Sequence, residues 1–296
     1  MSSSTGQAAQ DPERRVIRIG GAEAADFLQS ILTSDMEALS PGETRASALL
    51  TPQGRILADM MVLRVDDGFM LDCDASRADD LFARLRRYKL RRPVTLEILD
   101  DHRLWVGWNS DAMPRGASAD PRHPALGWRW IGPAGSGPET ASGSGPADIE
   151  QWHAVRIAAG VPQGPVDLQP ERALMLEAGL DRLGAVDFEK GCYVGQEVTA
   201  RTHYRGLVKR RIVPLEVSGG CPASGEAVSA GERDLGTVLS VADGGEWALC
   251  LAAMKLSDIH RINDGDHELT AGGHAARLAI PDWMLPLPDP SKTDTG

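Results

Sequence analysis

The chain has 296 residues, and its 31 lysines and arginines against 42 aspartates and glutamates give a formal charge of −11. A composition of 42% hydrophobic and 25% charged residues excludes a fibrous or wholly disordered protein, and the length predicts about two folded domains. No apolar run approaches the ~20 residues of a membrane-spanning helix, and residues 1–15 lack the apolar core of a secretory signal. We therefore expect a cytoplasmic protein with no membrane partner.

The cysteines predict reduced thiols. Cys73, Cys192, Cys221 and Cys250 lie far apart in the chain, without a CxxC pair. Such spacing encodes neither a zinc ribbon nor a ferredoxin-type cluster, so no metal site is expected.

The first half of the chain has the pattern of an α+β domain. Apolar residues recur at helical spacing over 22–32, and strands at 56–65 and 69–73 flank a turn at Asp66-Asp67-Gly68, which predicts a hairpin. A helix is predicted over 77–90, with Ser76 and Asp79 as a capping box, and strands at 94–99 and 104–108 follow Pro93. This order predicts helices packed on an antiparallel sheet.

The second half changes from helices to short strands. Residues 132–146 are mostly Gly, Ser, Pro and Ala, which predicts a mobile loop, and helices are predicted at 152–159 and 174–183. Strands at 208–217, 235–241, 247–254 and 275–280 are typical of a small barrel or sandwich. The proline-rich residues 286–296 are predicted to form a disordered tail.

Residues 188–206 hold the most informative motif. Gly191 and Gly195 flank Cys192, and glycine permits close approach of the backbone to a ligand, while nearby cations favour the thiolate. The pattern fits a reactive cysteine facing a ligand, and it also fits a buried cysteine in a structural loop. His203 allows a Cys–His pair if the loop folds back, and equally allows a structural histidine.

The run Lys190-Gly-Cys-Tyr-Val-Gly-Gln-Glu197 closely resembles the KGCYxGQE signature of the YgfZ family, folate-binding proteins related to the glycine-cleavage T-protein and to mitochondrial iron–sulfur assembly factors. Residues 27–35, 50–56, 87–91 and 176–180 resemble the same family. The resemblance implies a T-protein-like fold, the aminomethyltransferase folate-binding fold, with two α/β modules over residues 12–206, a C-terminal β-barrel over 207–285, and a central folate-binding hole. It also implies a role in maintaining iron–sulfur enzymes, including those that modify tRNA.

The resemblance also implies a folate site. Tetrahydrofolate or a one-carbon derivative is the expected cofactor, and the match to the T-protein makes Glu177 the candidate pterin ligand. A carboxylate can accept the N–H and amine donors of a pterin ring together, although an exposed helix carboxylate is the alternative. Further contacts to the cofactor are expected from Lys190, Gly191, Tyr193 and Arg201.

Two departures from the T-protein pattern bear on function. Ala58 stands where one acid of a pair is expected, so Asp59 remains as the candidate catalytic acid or as a strand-end residue. Cys192 stands where these enzymes usually carry Asp, and a thiolate can bind iron or exchange sulfur. We therefore favour a folate-binding factor for iron–sulfur cluster assembly or repair, with iron–sulfur enzymes or assembly proteins as partners.

Two other functions are weighed against the assembly factor. A tetrahydrofolate-dependent aminomethyl or one-carbon transferase is the alternative. The third hypothesis is an RNA-binding protein that uses cations at 84–92 and 209–211. The acidic net charge disfavours it, so direct binding of tRNA or DNA is not expected.

Overall fold

The computed structural model describes residues 6–110, 112–139, 145–263 and 268–289. These residues form two five-stranded sheets, a closed six-stranded barrel and five α-helices. No helix among them is long and apolar enough to cross a membrane. The strands are β1 (Gln7–Asp11), β2 (Arg14–Gly20), β3 (Thr44–Leu50), β4 (Ile56–Val65), β5 (Gly68–Asp74), β6 (Thr95–Leu99), β7 (His102–Trp108), β8 (Ser118–Ala119), β9 (Trp128–Pro133), β10 (Gly145–Pro146), β11 (Arg210–Val217), β12 (Ala227–Ala230), β13 (Arg233–Asp243), β14 (Ala248–Lys255), β15 (Leu269–Ala271) and β16 (His274–Leu278). The helices are α1 (Ala24–Ile31), α2 (Ala78–Lys89), α3 (Ile149–Ala158), α4 (Gln196–Arg205) and α5 (Leu256–Asn263).

The first sheet has the order β3-β4-β5-β2-β6 and is antiparallel throughout. Both α1 and α2 bury residues spaced three or four apart and share one core with this sheet. The predicted hairpin and the predicted helix over 77–90 are thus confirmed. The capping box is wrong, because the Ser76 hydroxyl donates to the Asp74 carboxylate and Arg77 occupies the N-cap without a side-chain bond.

The second sheet has the order β10-β1-β7-β9-β8, with β1 and β10 parallel. Strands β6 and β7 follow each other in sequence and lie in different sheets. The segment 132–146, predicted as a loop, begins within β9 and ends in β10, and residues 140–144 lie outside the described part of the chain.

The barrel closes in the order β11-β14-β13-β12-β15-β16. Its core is continuous with that of the second sheet, α3 and the segment 157–193. The helix predicted at 174–183 is wrong: this stretch is a series of turns, in which Gly179 adopts a φ of +72°. Leu287 is buried and His260 Nε2 lies 3.1 Å from the Pro288 carbonyl, whereas residues 290–296 of the predicted tail lie outside the described residues.

A buried charge network joins the two sheets. Arg14 on β2 donates from Nε to Asp72 Oδ1 on β5 at 2.7 Å, and Arg129 on β9 contacts the other Asp72 oxygen. Arg129 Nη1 also donates to Asp120 at 3.0 Å, and Arg122 binds that carboxylate with two nitrogens. Burial alone would raise the pKa of Asp72, and the guanidinium groups of Arg129 and Arg14 outweigh it and hold this pKa below its usual value. Three guanidinium groups and two carboxylates are thus paired with one another inside the protein.

We expect Asp72→Asn to lower the free energy of unfolding by about 3–5 kcal/mol, because two buried guanidinium groups lose their shared counter-charge. Urea unfolding followed by circular dichroism measures this change. The matched control is Asp100→Asn, which breaks the exposed Arg15–Asp100 pair and should cost about 0–1 kcal/mol. Equal effects of the two substitutions would show that the network does not hold the sheets together.

Candidate functional site

Lys190 anchors the glycine-flanked cysteine loop to the end of α1. Its buried ammonium donates to the carbonyls of Gln29 at 2.8 Å, Leu32 at 2.6 Å and Ser34 at 2.8 Å. These bonds use all three N–H groups of the side chain. Burial lowers the pKa of Lys190 to about 8, and nearby carboxylates, chiefly Asp35, oppose this shift. Lys190 therefore positions the loop and has no donor left for a ligand.

The next residues present an exposed thiol. Cys192 is exposed, and a Cβ atom built at the exposed Gly191 would meet nothing within 4 Å. Tyr193 is buried again, with the Lys190 ammonium 5.3 Å from its ring centroid, and burial raises the pKa of its hydroxyl to about 12. Cys192 is thus presented outward between two buried anchors rather than packed as a small core residue.

A pair of glycines sets the position of α4 behind this loop. Gly195 is the N-cap residue of α4 with a φ of +84°, and a Cβ there would lie 2.6 Å from the Thr51 carbonyl. Gly54, with a φ of +75°, faces it, and a Cβ at Gly54 would lie 3.1 Å from Val198 Cβ. Only glycine lets the two backbones come this close. The segments 50–56 and 190–197, both singled out in the sequence, therefore meet in the fold.

The remaining motif residues lie on the outer face of α4. Arg201 pairs with Glu197 at 2.6 Å, and both side chains are exposed. His203 stacks on Phe188 with a centroid distance of 3.9 Å, and no hydrogen bond joins His203 to Cys192 in the part of the chain that the structure describes. The arrangement gives His203 a stacking role.

Glu177 lies in a separate cavity of about 260 Å³ between the turns at 167–178 and barrel strands β11, β13 and β14. Its backbone is fixed to the barrel, because Ile212 N donates to the Glu177 carbonyl at 3.0 Å and Arg211 Nη1 donates to the Leu176 carbonyl at 2.6 Å. Burial raises the pKa of the Glu177 carboxyl, and the nearby Arg210 opposes this shift. The cavity therefore combines a half-buried carboxylate with a cation on its wall.

A buried ion pair holds the cavity wall. Arg156 Nη1 on α3 donates to Asp167 Oδ2 at 2.8 Å, and Ser240 N on β13 donates to Asp167 Oδ1 at 2.9 Å. Asp167 lines the cavity together with Arg172 and Arg210. Sequence reasoning identified neither Asp167 nor Arg172. Arg210 and Arg211, at the start of β11, also line this cavity, and they lie in the 209–211 cluster that the sequence analysis assigned to RNA binding.

Asp59 lies apart from Glu177. It is buried on β4 and does not line the Glu177 cavity. A Cβ built on Gly164 would lie 2.3 Å from Asp59 Oδ1, so the two residues are in close contact. Lys190, Gly191, Cys192, Tyr193 and Arg201 are also absent from the lining of the Glu177 cavity. The structure thus groups these five residues along one motif and places Glu177 and Asp59 elsewhere.

Comparison with known proteins places the fold. Residues 13–107 match the GCVT N-terminal domain, and residues 209–286 match the CAF17 C-terminal beta-barrel domain. The crystal structure of glycine cleavage system aminomethyltransferase T from Bartonella henselae is similar at a TM-score of 0.74 and 17% identity, covering 96% of this chain and 87% of that chain. The predicted T-protein-like α+β fold with a C-terminal barrel is confirmed.

The relatives correct the predicted location. The mitochondrial iron–sulfur cluster assembly factor IBA57 homolog of Mycosarcoma maydis is 36% identical to this chain. The match covers 72% of this chain and 58% of the length of that relative. The prediction of a cytoplasmic protein is contradicted, because this relative and the one described next are mitochondrial by name. The prediction relied on the lack of a membrane-spanning run and of an apolar secretory signal, which do not distinguish the cytoplasm from the interior of a mitochondrion.

The relatives also refine the family. The mitochondrial iron–sulfur cluster assembly factor IBA57 of Mus musculus is 32% identical over 91% of this chain and 83% of its own length. The resemblance seen in the sequence was to the YgfZ family, whereas the matched relatives are IBA57 proteins. At this identity and coverage, the chain belongs to the IBA57 family of iron–sulfur cluster assembly factors.

Proposed function

We propose that this protein assembles or repairs iron–sulfur clusters and that Cys192 is its ligand to the cluster. The observation that carries the proposal is the exposed thiol between the buried anchors Lys190 and Tyr193. The relatives named above are iron–sulfur cluster assembly factors, which supports the same role here. The clients we propose are iron–sulfur enzymes, including those that modify tRNA.

The proposed site needs a partner to complete it. One thiolate cannot hold a cluster, and the described residues contain no group of three or more His, Cys, Asp or Glu side chains that could hold a metal ion. The other ligands must therefore come from a partner protein or from small thiols. In the exchange, a bond from iron to a carrier thiolate breaks as the bond from Cys192 to iron forms. The Cys192 proton passes to the departing thiolate, so charge and oxidation state are conserved.

Fixation of the loop is the contribution of this chain to that exchange. Lys190 and Tyr193 are ordered before a partner arrives, so little conformational entropy is lost when Cys192 engages. The open space beside Gly191 lets a bulky cluster approach the thiol without meeting a side chain.

We further propose that the Glu177 cavity binds a reduced folate. The residues fit this ligand: the half-buried Glu177 can accept the paired donors of a pterin ring, and Arg172 and Arg210 can bind its glutamate carboxylates. When bound, a reduced folate supplies one-carbon units or reducing equivalents. The role of Glu177 is to orient the ring, and fixation of its backbone to β11 holds the carboxylate in place.

Turnover of a one-carbon donor is not favoured by this geometry. Ala58 provides no acid, and the buried Asp59 faces Gly164 instead of the Glu177 cavity. The carboxylate that would have to contact a reacting amine is thus separated from the proposed pterin ligand. We therefore assign the folate a supporting role in the assembly factor.

We predict that Cys192→Ala abolishes support of iron–sulfur enzymes, because no other exposed thiol lies on the loop. The measurement is the activity of iron–sulfur enzymes in cells that lack the endogenous protein and receive each variant. Cys221→Ala is the matched control, since Cys221 is also an exposed free thiol, and it should retain full support. Full support by Cys192→Ala would remove the role proposed for this thiol.

We predict that Glu177→Gln weakens tetrahydrofolate binding by about 10–100-fold, the value of a lost hydrogen bond to a charged group. In the wild type, affinity should fall as the pH falls through the Glu177 pKa, which burial raises, because protonation removes the acceptor. This component of the pH dependence should be missing in Glu177→Gln. Calorimetric titration between pH 4.5 and 8 measures both effects, with the exposed Glu197→Gln as control. Unchanged affinity in Glu177→Gln would place the pterin elsewhere.

A further inference from the structure

The turn after α2 holds a leucine in a conformation that leucine disfavours. Leu90 has a φ of 50° and a ψ of −114°, and Arg92 N donates to the Lys89 carbonyl at 2.9 Å to close the turn around it. These angles match the second position of a type II′ turn, which glycine normally occupies. The Leu90 side chain is 81% exposed, so packing within the chain does not offset the strain.

Unpaired cations surround this leucine. Two nearby arginines are paired: Arg84 binds Asp80, and Arg92 binds Asp26. Four other cations have no hydrogen bond or ion pair in the part of the chain that the structure describes; they are Arg86, Arg87, Lys89 and Arg91. On a chain of net charge −11, this turn is a local basic surface.

We propose that residues 86–92, the Leu90 turn, are the docking surface for a protein partner that offers an apolar pocket rimmed by carboxylates. An exposed aliphatic side chain gains free energy by entering an apolar pocket, and the four unpaired cations match an acidic rim. A nucleic acid would satisfy the cations and leave Leu90 in water, since base recognition relies on aromatic and polar side chains. The combination therefore favours a protein.

The Leu90 turn and the Cys192 loop are attached to opposite ends of the same helix. Arg92 pairs with Asp26 in the first turn of α1 at 2.7 Å, while Lys190 binds carbonyls at and beyond the last turn of α1. A helix of eight residues is about 12 Å long. A partner on the Leu90 turn would thus have its edge near Cys192. The idea that the same partner exchanges the cluster rests on the proposed function. Docking of a partner on the Leu90 turn does not depend on it.

The test is photocrosslinking of the full chain in cells, with benzoylphenylalanine in place of Tyr88, which is 36% exposed within the turn. We expect a cross-link to one protein through a peptide with Asp or Glu beside apolar residues. It should be lost when Leu90→Gly is added, and lost in the double variant Arg87→Glu, Arg91→Glu. The charge-conserving control Arg87→Lys, Arg91→Lys should retain it.

Two further measurements make the outcome decisive. Leu90→Gly should melt no lower than the wild type, since glycine relieves the strained φ, so a lost cross-link cannot be ascribed to unfolding. Tetrahydrofolate binding should be unchanged in these variants, which separates failure of docking from failure of the folate site. A cross-link to RNA or lipid, the absence of a cross-link to protein, or a cross-link that survives Leu90→Gly would overturn the proposal.

Discussion

The buried ammonium of Lys190 is the constraint on which the candidate site depends. A buried ammonium is costly unless its donors are used, and Lys190 meets this requirement with carbonyls more than 150 residues earlier in the chain. Thr33 adds two bonds to the same junction, because its hydroxyl donates to the Ala185 carbonyl at 2.6 Å and its own carbonyl accepts from Asp187 N at 2.9 Å. The exposed Cys192 follows directly from this junction. A thiol on a surface loop thereby gains the fixed position of a core residue.

Buried cations also fix the backbone at the barrel, where the cations are arginines. Arg211 holds the Leu176 carbonyl and Arg156 holds Asp167, so both ends of the turns around Glu177 are fixed by buried guanidinium groups. The segment from Asp167 to Lys190 therefore runs from a barrel anchor to an α1 anchor. Its core is shared with the barrel, and the cysteine loop does not line the Glu177 cavity. The supporting role proposed for a folate is consistent with this separation.

Local patterns in the sequence predicted most elements, and they were wrong where distant contacts decide. The hairpin β4–β5 and helix α2 have strong periodicity and were found. The turns at 174–183 have apolar spacing like a helix, and the positive φ of Gly179 breaks it. Helix α4 was missed because it buries little, with Thr199 as its buried residue. The motif around Cys192 was identified, whereas the role of Lys190 depends on carbonyls that no local pattern reveals.

The distribution of charged side chains relates the fold to the proposed docking surface. Buried arginines on both sheets and on α3 pair with buried carboxylates, so these charges contribute to cohesion and leave the net surface charge acidic. The unpaired cations of the Leu90 turn therefore form a local positive region on an otherwise acidic protein. Such a surface would orient an acidic partner before contact, and it would do so beside α1, whose other end binds Lys190 of the cysteine loop. An assembly factor whose proposed site supplies one cysteine ligand needs this, because the remaining cluster ligands must arrive already aligned with the thiol.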